Sequence, residues 1–147
     1  MFKHILIPTD GSAVSAKAVK AGIALAKESG AKVTGYYAVE PVPTRLYGEG
    51  YMADRKSVEE FERRRREHAK KQVATIERVA RKAGVAFEPV VETARTPYHG
   101  IVEAAAKRDC DLIFMSSHGR TGLMRMALGS VADKVMTLSK VPVLVYR

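Results

Sequence analysis

The chain has 147 residues, of which 46% are hydrophobic, a formal net charge of +9 and a single cysteine, Cys110. This length suits one domain, residues 1–147, and no apolar run approaches the ~18 residues of a membrane span. One cysteine excludes an internal disulfide framework, and no secretory leader precedes the first strand, so we expect a cytoplasmic protein. Because Cys110 precedes an apolar segment, a buried, reduced thiol is favoured over a nucleophile.

The positive charge invites a nucleic-acid function, so its position in the chain matters. Residues 54–82 hold eleven Lys or Arg and six Asp or Glu, a local excess of +5 that centres on the run of arginines at 63–66. Glutamates surround this run, and the mixed pattern is typical of a solvated helix with i,i+4 ion pairs. No aromatic residues interleave with the arginines to stack bases, so nucleic-acid binding is not favoured.

The first half of the chain predicts two strands and two helices. Residues 5–7 form a short buried strand that ends at Pro8, and a turn over 9–12 leads to a helix over 13–29 with Ser12 as its N-cap. A second strand spans 33–39. After a loop rich in proline and glycine, a capping-box pattern places the start of a long helix at or one turn before Ser57, and Gly84 ends it.

The second half continues the same alternation. A third strand at 87–91 contains Pro89, which cannot donate to a sheet ladder and therefore predicts an edge strand. Thr96 and Pro97 begin a helix through residue 108, and a fourth strand spans 112–115. A short helix follows from Ser130, taken as its cap, to about residue 138, and a fifth strand runs over 141–146.

This alternation predicts an α/β fold with one doubly wound, parallel, five-stranded sheet and helices on both faces. With strand three at an edge, the simplest strand order is 3-2-1-4-5. Ligands bind such sheets beyond the carboxyl ends of the strands, where the strand order reverses. Here that point lies between strands one and four, so the loops after Pro8 and after Met115 should meet in one crevice.

Both loops carry residues suited to a phosphate ligand. Gly119 and Gly129 let backbone amides approach closely, and Ser130 opens a helix whose first amides lie at its positive end. Ordinary turn glycines are the alternative interpretation. His118 and Arg120 could meet phosphate charge, although side chains in such loops more often face water.

Asp10 is the only acidic residue expected in the crevice. Its carboxylate could accept from a ribose hydroxyl or a base, or bind a cation that bridges phosphates. The alternative is an Asx turn, in which the carboxylate bonds to its own backbone. No metal-ligand spacing of histidines and no nucleophile with its base can be identified.

These motifs resemble the universal stress protein family along the whole chain. The resemblance is carried by the segments at 7–12, 117–122, 128–131 and 141–145. The nucleotide-binding branch of that family has a glycine, two residues, a second glycine, nine residues and then Gly-Ser or Gly-Thr. Here Gly119 is the second glycine and Gly129 and Ser130 complete the pattern, whereas Ser116 replaces the first glycine.

The resemblance implies an adenine nucleotide alpha-hydrolase-like fold that binds ATP, or AMP or another adenine nucleotide, with Mg²⁺ or Mn²⁺. It also implies a homodimer through the last strand, from Val141 to Tyr146. The expected site residues around the base, ribose and phosphates are Pro8, Thr9, Asp10, Ala38, Met115, Ser116, His118, Gly119, Arg120, Gly129, Ser130 and Val131.

We therefore expect a regulatory, stress-response nucleotide-binding protein with little or no turnover, since no Walker lysine follows the glycines. One alternative is a slow ATPase. Another is an interaction or nucleic-acid-binding protein that uses the helix around residues 63–71, its nucleotide site being vestigial because of Ser116.

Overall fold

A computed structural model describes residues 1–43, 55–119 and 127–147 of the chain. Arg120 and the predicted loop around Gly48 and Gly50 lie outside these residues. The described elements alternate as the sequence predicts. In chain order they are β1 (His4–Pro8), α1 (Ala13–Ser29), β2 (Lys32–Val39), α2 (Arg55–Ala83), β3 (Phe87–Thr93), α3 (Pro97–Lys107), β4 (Leu112–Ser116), α4 (Ser130–Leu138) and β5 (Val143–Tyr146).

The sheet has five parallel strands in the order β3-β2-β1-β4-β5, which confirms the predicted topology. Pro89 lies opposite Gly35 on the edge strand β3. The Val33 amide donates to Ala86 O at 2.8 Å and the Ala94 amide to Val39 O at 3.0 Å, so the even-numbered residues of β3 face β2. The nitrogen of Pro89 therefore points away from the sheet, where no donor is needed.

Alternate residues of each strand supply two hydrophobic cores, one on each face of the sheet. On the first face, Ile5 and Ile7 pack with residues of α1 and α2, including Ile23 and Ile76. On the second face, Leu6 belongs to a core that also contains residues of α3 and α4. Both faces of β1 are thus buried, which fixes the position of its carboxyl end at the centre of the molecule.

Two of the predicted helix caps are confirmed and one is wrong. The Ser12 hydroxyl accepts from the Ser15 amide at 3.2 Å, and the Thr96 hydroxyl accepts from the His99 amide at 3.4 Å. At α4, however, the N-cap is Gly129, and no side chain caps the helix there. Ser130 is instead the first helical residue. The amides of Ser130 and Val131 therefore lie in the first turn of α4 and have no side-chain acceptor from the N-cap.

The fifth strand is shorter than predicted. It begins at Val143 and not at residue 141, because a local turn holds the preceding backbone. The Ser139 hydroxyl donates to Val141 O at 2.7 Å and accepts from the Val141 amide at 3.1 Å. The main chain of Val141 is thus engaged in this turn and does not extend β5.

The amino ends of β1 and β4 are joined by an acidic side chain. The Asp111 carboxylate accepts from the Lys3 amide at 2.8 Å and from the His4 amide at 3.0 Å. Desolvation alone would raise the pKa of Asp111, but these amide donors outweigh it and hold the pKa below its usual value. Asp111 therefore stays ionised and anchors the beginning of β1.

Cys110 is buried at 4% exposure, and burial raises the pKa of its thiol to about 11. The thiol therefore stays protonated at neutral pH, as predicted for a core cysteine. Within the ranges 1–43, 55–119 and 127–147, no helix is long and apolar enough to cross a membrane.

Candidate functional site

A cavity of about 1050 Å³ opens beyond the carboxyl ends of β1, β2 and β4, where the strand order reverses. This is the position that the predicted topology assigns to a ligand. Every expected site residue within the described part of the chain lines the cavity. These are Pro8, Thr9, Asp10, Ala38, Met115, Ser116, His118, Gly119, Gly129, Ser130 and Val131.

The loop from β1 into α1 is held by its own polar side chains. The Thr9 amide donates to Tyr36 O at 2.9 Å, which ties the loop to β2. The Thr9 hydroxyl accepts from the Gly11 amide at 3.1 Å and from the Ser15 hydroxyl at 2.8 Å. Thr9 thus serves to shape the loop, and its hydroxyl is engaged within the protein.

Asp10 forms an Asx turn, which is one of the two interpretations predicted for this residue. Its Oδ1 accepts from the Ser12 amide at 2.9 Å. A Cβ added at Gly119 would lie 2.8 Å from Asp10 Oδ2, so the glycine allows the loop after β4 to approach this carboxylate closely. Asp10 therefore lies between the two loops, with one oxygen in the turn and the other toward the loop after β4.

The loop after β4 is fixed by hydrogen bonds to its backbone. The Ser116 hydroxyl donates to His118 O at 2.9 Å, so the side chain that replaces the expected glycine stabilises the loop. His118 Nδ1 lies 2.9 Å from the Ser117 hydroxyl, and His118 Nε2 bonds to Ala127 O. The imidazole thus joins the two described ends of this connection.

The start of α4 packs against the same loop. The Gly129 amide donates to Ser117 O at 2.8 Å, and a Cβ at Gly129 would lie 2.8 Å from that same oxygen. The Gly129 amide is therefore not available to a phosphate, which corrects the expectation that it is one of the phosphate-binding amides. The amides of Ser130 and Val131 follow in the first turn of α4, where they are suited to an anion.

One wall of the cavity was missed by the sequence analysis. It comes from the amino-terminal half of α2 and consists of Phe61, Arg64, Arg65 and His68, which we call the α2 wall. The expected solvated face with i,i+4 ion pairs is confirmed for Arg63 and Arg64, which pair with Glu67 and Glu60, although Arg64 also lines the cavity. Arg65 differs, because it is partly buried and lines the cavity. The spacing i, i+4, i+7 of residues 61, 65 and 68 was the available signal for one helix face.

The cavity also contains aromatic and acidic groups that were not predicted. Glu40 lines it beside the end of β2, so Asp10 is not its only acidic residue. The rings of Tyr37 and His68 pack edge to face, with centroids 6.3 Å apart. This contact places the α2 wall against the carboxyl end of β2.

Tyr36 lines the cavity but is fully buried from solvent, and burial raises the pKa of its hydroxyl to about 12. This hydroxyl finds no hydrogen-bond partner among the residues described. It is protonated at neutral pH and is therefore unsuited to act as a general base.

The donor set for a metal ion is small. In the described segments, no group of three or more His, Cys, Asp or Glu side chains could hold a metal ion. A divalent cation at this site would consequently need ligands from a bound molecule, such as phosphate oxygens, in addition to any carboxylate.

The chain is similar to universal stress proteins throughout its length. The sequence pattern of the universal stress protein family matches residues 1–147. Universal stress protein MJ0531 of Methanocaldococcus jannaschii is 37% identical over 148 residues, covering 100% of this chain and 83% of the relative. The solved structure of protein MJ0577 has a TM-score of 0.80 and 30% identity, covering 99% of this chain and 95% of that one.

Two further structures of the same fold were determined with nucleotides. A universal stress protein in complex with cAMP has a TM-score of 0.65 and 24% identity, covering 99% of this chain and 97% of that one. The universal stress protein from Archaeoglobus fulgidus in complex with dAMP has a TM-score of 0.67 and 19% identity, covering 100% and 98% of the two chains.

Proposed function

Because the chain belongs to the universal stress protein family over its whole length, we propose that it binds an adenine nucleotide, ATP in the first place, in the cavity at the switch point. The observation that carries the proposal is the meeting of two loops, after β1 and after β4, with the uncapped start of α4. Similar structures in complex with cAMP and dAMP support the adenine class of ligand.

In this proposal the phosphates lie at the start of α4. The amides of Ser130 and Val131 open the helix without a side-chain cap, so they are suited to donate to phosphate oxygens at the positive helix end. Gly129 has a different role from the one its motif suggests. It lets α4 begin against the Ser117 carbonyl, and a side chain there would displace the backbone that presents the amides.

The base and ribose then lie toward the ends of β1 and β2. Pro8, Ala38 and Met115 provide apolar surface there, while the Asp10 carboxylate faces the loop that contains Gly119. Ser116 does not oppose this arrangement, because its hydroxyl donates to the backbone of His118. In this proposal His118 lies near the phosphates. Arg120, which is outside the described residues, remains a proposed contact of the phosphates.

We further propose that the protein holds its nucleotide with little or no turnover and acts as a regulatory, stress-response module. Among the described residues of the cavity, the Ser117 hydroxyl lies 2.9 Å from His118 Nδ1, but Ser117 is only 3% exposed and His118 Nε2 bonds to Ala127 O, so this pair serves the loop. Thr9 and Ser116 use their hydroxyls for loop hydrogen bonds, and Asp10 accepts in its turn. Slow hydrolysis of ATP is the second candidate. Mg²⁺ or Mn²⁺ would be held by the phosphates, with Asp10 as the nearest carboxylate of the β1 loop.

A homodimer through β5 belongs to the same proposal. In the part of the chain that the structure describes, β5 pairs with β4 only, so one edge of the strand is open. Leu144 and Tyr146 are 37% and 38% exposed, so two large apolar side chains of this strand are partly open to solvent beside the unpaired edge. A second copy that pairs with this edge would cover both features. Cytoplasmic location and the absence of nucleic-acid binding stay predictions.

Mass spectrometry of small molecules released from freshly purified protein, combined with thermal shift, tests the proposed ligand. We expect an adenine nucleotide in the released fraction and a higher Tm when millimolar ATP and Mg²⁺ are added. Protein that releases no nucleotide and whose Tm is unchanged by ATP, AMP and cAMP would contradict the proposal.

A further inference from the structure

The α2 wall carries an arginine that forms no ion pair with the carboxylates the structure describes. Of the four consecutive arginines, Arg63 pairs with Glu67 at 3.1 Å and Arg64 with Glu60 at 2.6 Å, and Arg66 donates to the Thr93 hydroxyl at 2.7 Å. Arg65 differs from these three. It forms no ion pair with any carboxylate in the described segments, and it lines the cavity.

The surroundings of Arg65 hold its charge at the cavity surface. Its guanidinium carbon lies 5.6 Å from the centroid of the Phe61 ring, which is within the range of a cation–π contact. The side chain is partly buried, and Phe61 itself is 46% exposed. A partly desolvated cation with no ion pair among the described carboxylates attracts an anionic group, and its planar fork suits phosphate oxygens.

This cation lies away from the proposed phosphate position. The α2 helix packs on β2 and β3, whereas α4 packs on α3 and β5. Neighbouring strands are about 4.8 Å apart, so the ends of β2 and β4 are separated by about 10 Å. No Lys or Arg among the described residues lies in the loop after β4 or in the first turn of α4. The cavity thus has two distinct places suited to anions.

The size of the cavity agrees with a ligand that reaches both places. At about 1050 Å³ it lies just above the range of about 300–1000 Å³ that is usual for small-molecule sites. In this inference a nucleotide has its 5′-phosphate at Ser130, its ribose in the middle of the cavity and one of the other ribose hydroxyls toward the α2 wall. A phosphate on that hydroxyl would extend toward Arg65.

We propose that Arg65 forms a second phosphate subsite, so that the preferred ligand is an adenine nucleotide with a second phosphate on the 2′ or 3′ hydroxyl of its ribose. The inference rests on the proposed function, because the 5′-phosphate occupies the start of α4. It names a class of ligand, the adenosine bisphosphates, that the glycine loops alone would not distinguish from AMP.

Isothermal titration calorimetry with AMP, adenosine 3′,5′-bisphosphate and adenosine 2′,5′-bisphosphate tests this subsite. The measured quantity is the Kd of AMP divided by the Kd of each bisphosphate, which isolates the second phosphate. We expect a ratio of about ten or more for one of the two isomers, as one charge-assisted contact provides. The isomer that gains affinity identifies the ribose hydroxyl that faces Arg65.

Three variants assign that gain to Arg65. Arg65→Gln should bring the ratio close to one, and Arg65→Lys should keep part of it, because the charge remains without the fork. Arg63→Gln is the matched control, since Arg63 is a neighbour in the same run that pairs with Glu67 and does not line the cavity. It should leave the ratio unchanged. Circular dichroism checks that each variant is folded.

The possible outcomes separate this inference from the proposed function. AMP binding with a ratio near one for both bisphosphates would overturn the second subsite and leave the nucleotide site intact. A high ratio that persists in Arg65→Gln would overturn the role of Arg65. No binding of AMP, ATP or either bisphosphate would overturn both proposals together.

Discussion

Gly129 and Ser117 are joined by a 2.8 Å hydrogen bond from amide to carbonyl, and a Cβ on Gly129 would lie 2.8 Å from that carbonyl oxygen. The glycine therefore determines how closely α4 begins to the loop after β4. In the proposed site, this approach sets the position of the Ser130 and Val131 amides. The motif glycine thus acts through backbone packing more than through its own donor.

We expect Gly129→Val to abolish ATP binding and also to destabilise the fold, by about 1–3 kcal/mol, because the backbone of Ser117 must move. Calorimetry and urea unfolding measure the two effects. Gly30→Ala is a suitable control, since Gly30 has φ +67° at the end of α1, away from the cavity. It should lose about 1 kcal/mol of stability and keep ATP affinity. Wild-type affinity in Gly129→Val would place the phosphates elsewhere.

Gly119→Ala should behave differently from Gly129→Val. Its Cβ would meet Asp10 Oδ2 at 2.8 Å, which is the end of a side chain that can rotate and not a backbone atom. We therefore expect the free energy of unfolding to change by less than about 0.5 kcal/mol, while ATP affinity falls several-fold. In an Asp10→Ala background the same change should have a smaller effect on affinity. Equal effects in both backgrounds would show that Gly119 and Asp10 act independently.

The dimer proposal is tested at Val145. The Ile113 and Ser117 amides donate to Pro142 O and Tyr146 O, so the even-numbered residues face β4 and Val145 faces the open edge. Val145→Pro should remove the backbone amide that points toward the open edge and should yield folded monomer in sedimentation analysis. Leu138→Lys changes an exposed residue of α4 and should leave the dimer intact. Dissociation by Leu138→Lys alone would instead place the interface on the helix face.

Asp111 predicts a loss of stability in acid. Its pKa is lower in the folded protein than the ordinary value of 3.8, so the folded state favours the ionised form. This contribution is fully present above pH 3.8 and is lost as the pH falls through the folded pKa. We expect Asp111→Asn to cost about 1 kcal/mol at pH 7 and progressively less as the pH is lowered below 3.8. A cost that does not depend on pH in urea unfolding would contradict the role of the carboxylate.

Local rules were sufficient for the strand order and for the two loops of the site. Pro89 identified the edge strand, the alternation of elements identified a parallel sheet, and the switch point followed from both. What the sequence did not reveal depends on tertiary packing. Arg65 faces the cavity because α2 packs on β2 and β3, and the Gly129 amide is occupied because Ser117 O lies beside it. The shorter β5 has a local cause, because the main chain of Val141 bonds to the Ser139 hydroxyl and does not extend the strand.

Titration of the intact protein with ATP in the presence of Mg²⁺, by isothermal calorimetry, tests the central claim most directly. We predict one ATP site per chain. AMP should compete with ATP for this site, and Gly129→Val should abolish ATP binding. The absence of binding heat at millimolar ATP, together with an unchanged Tm, would contradict a nucleotide site between β1 and β4.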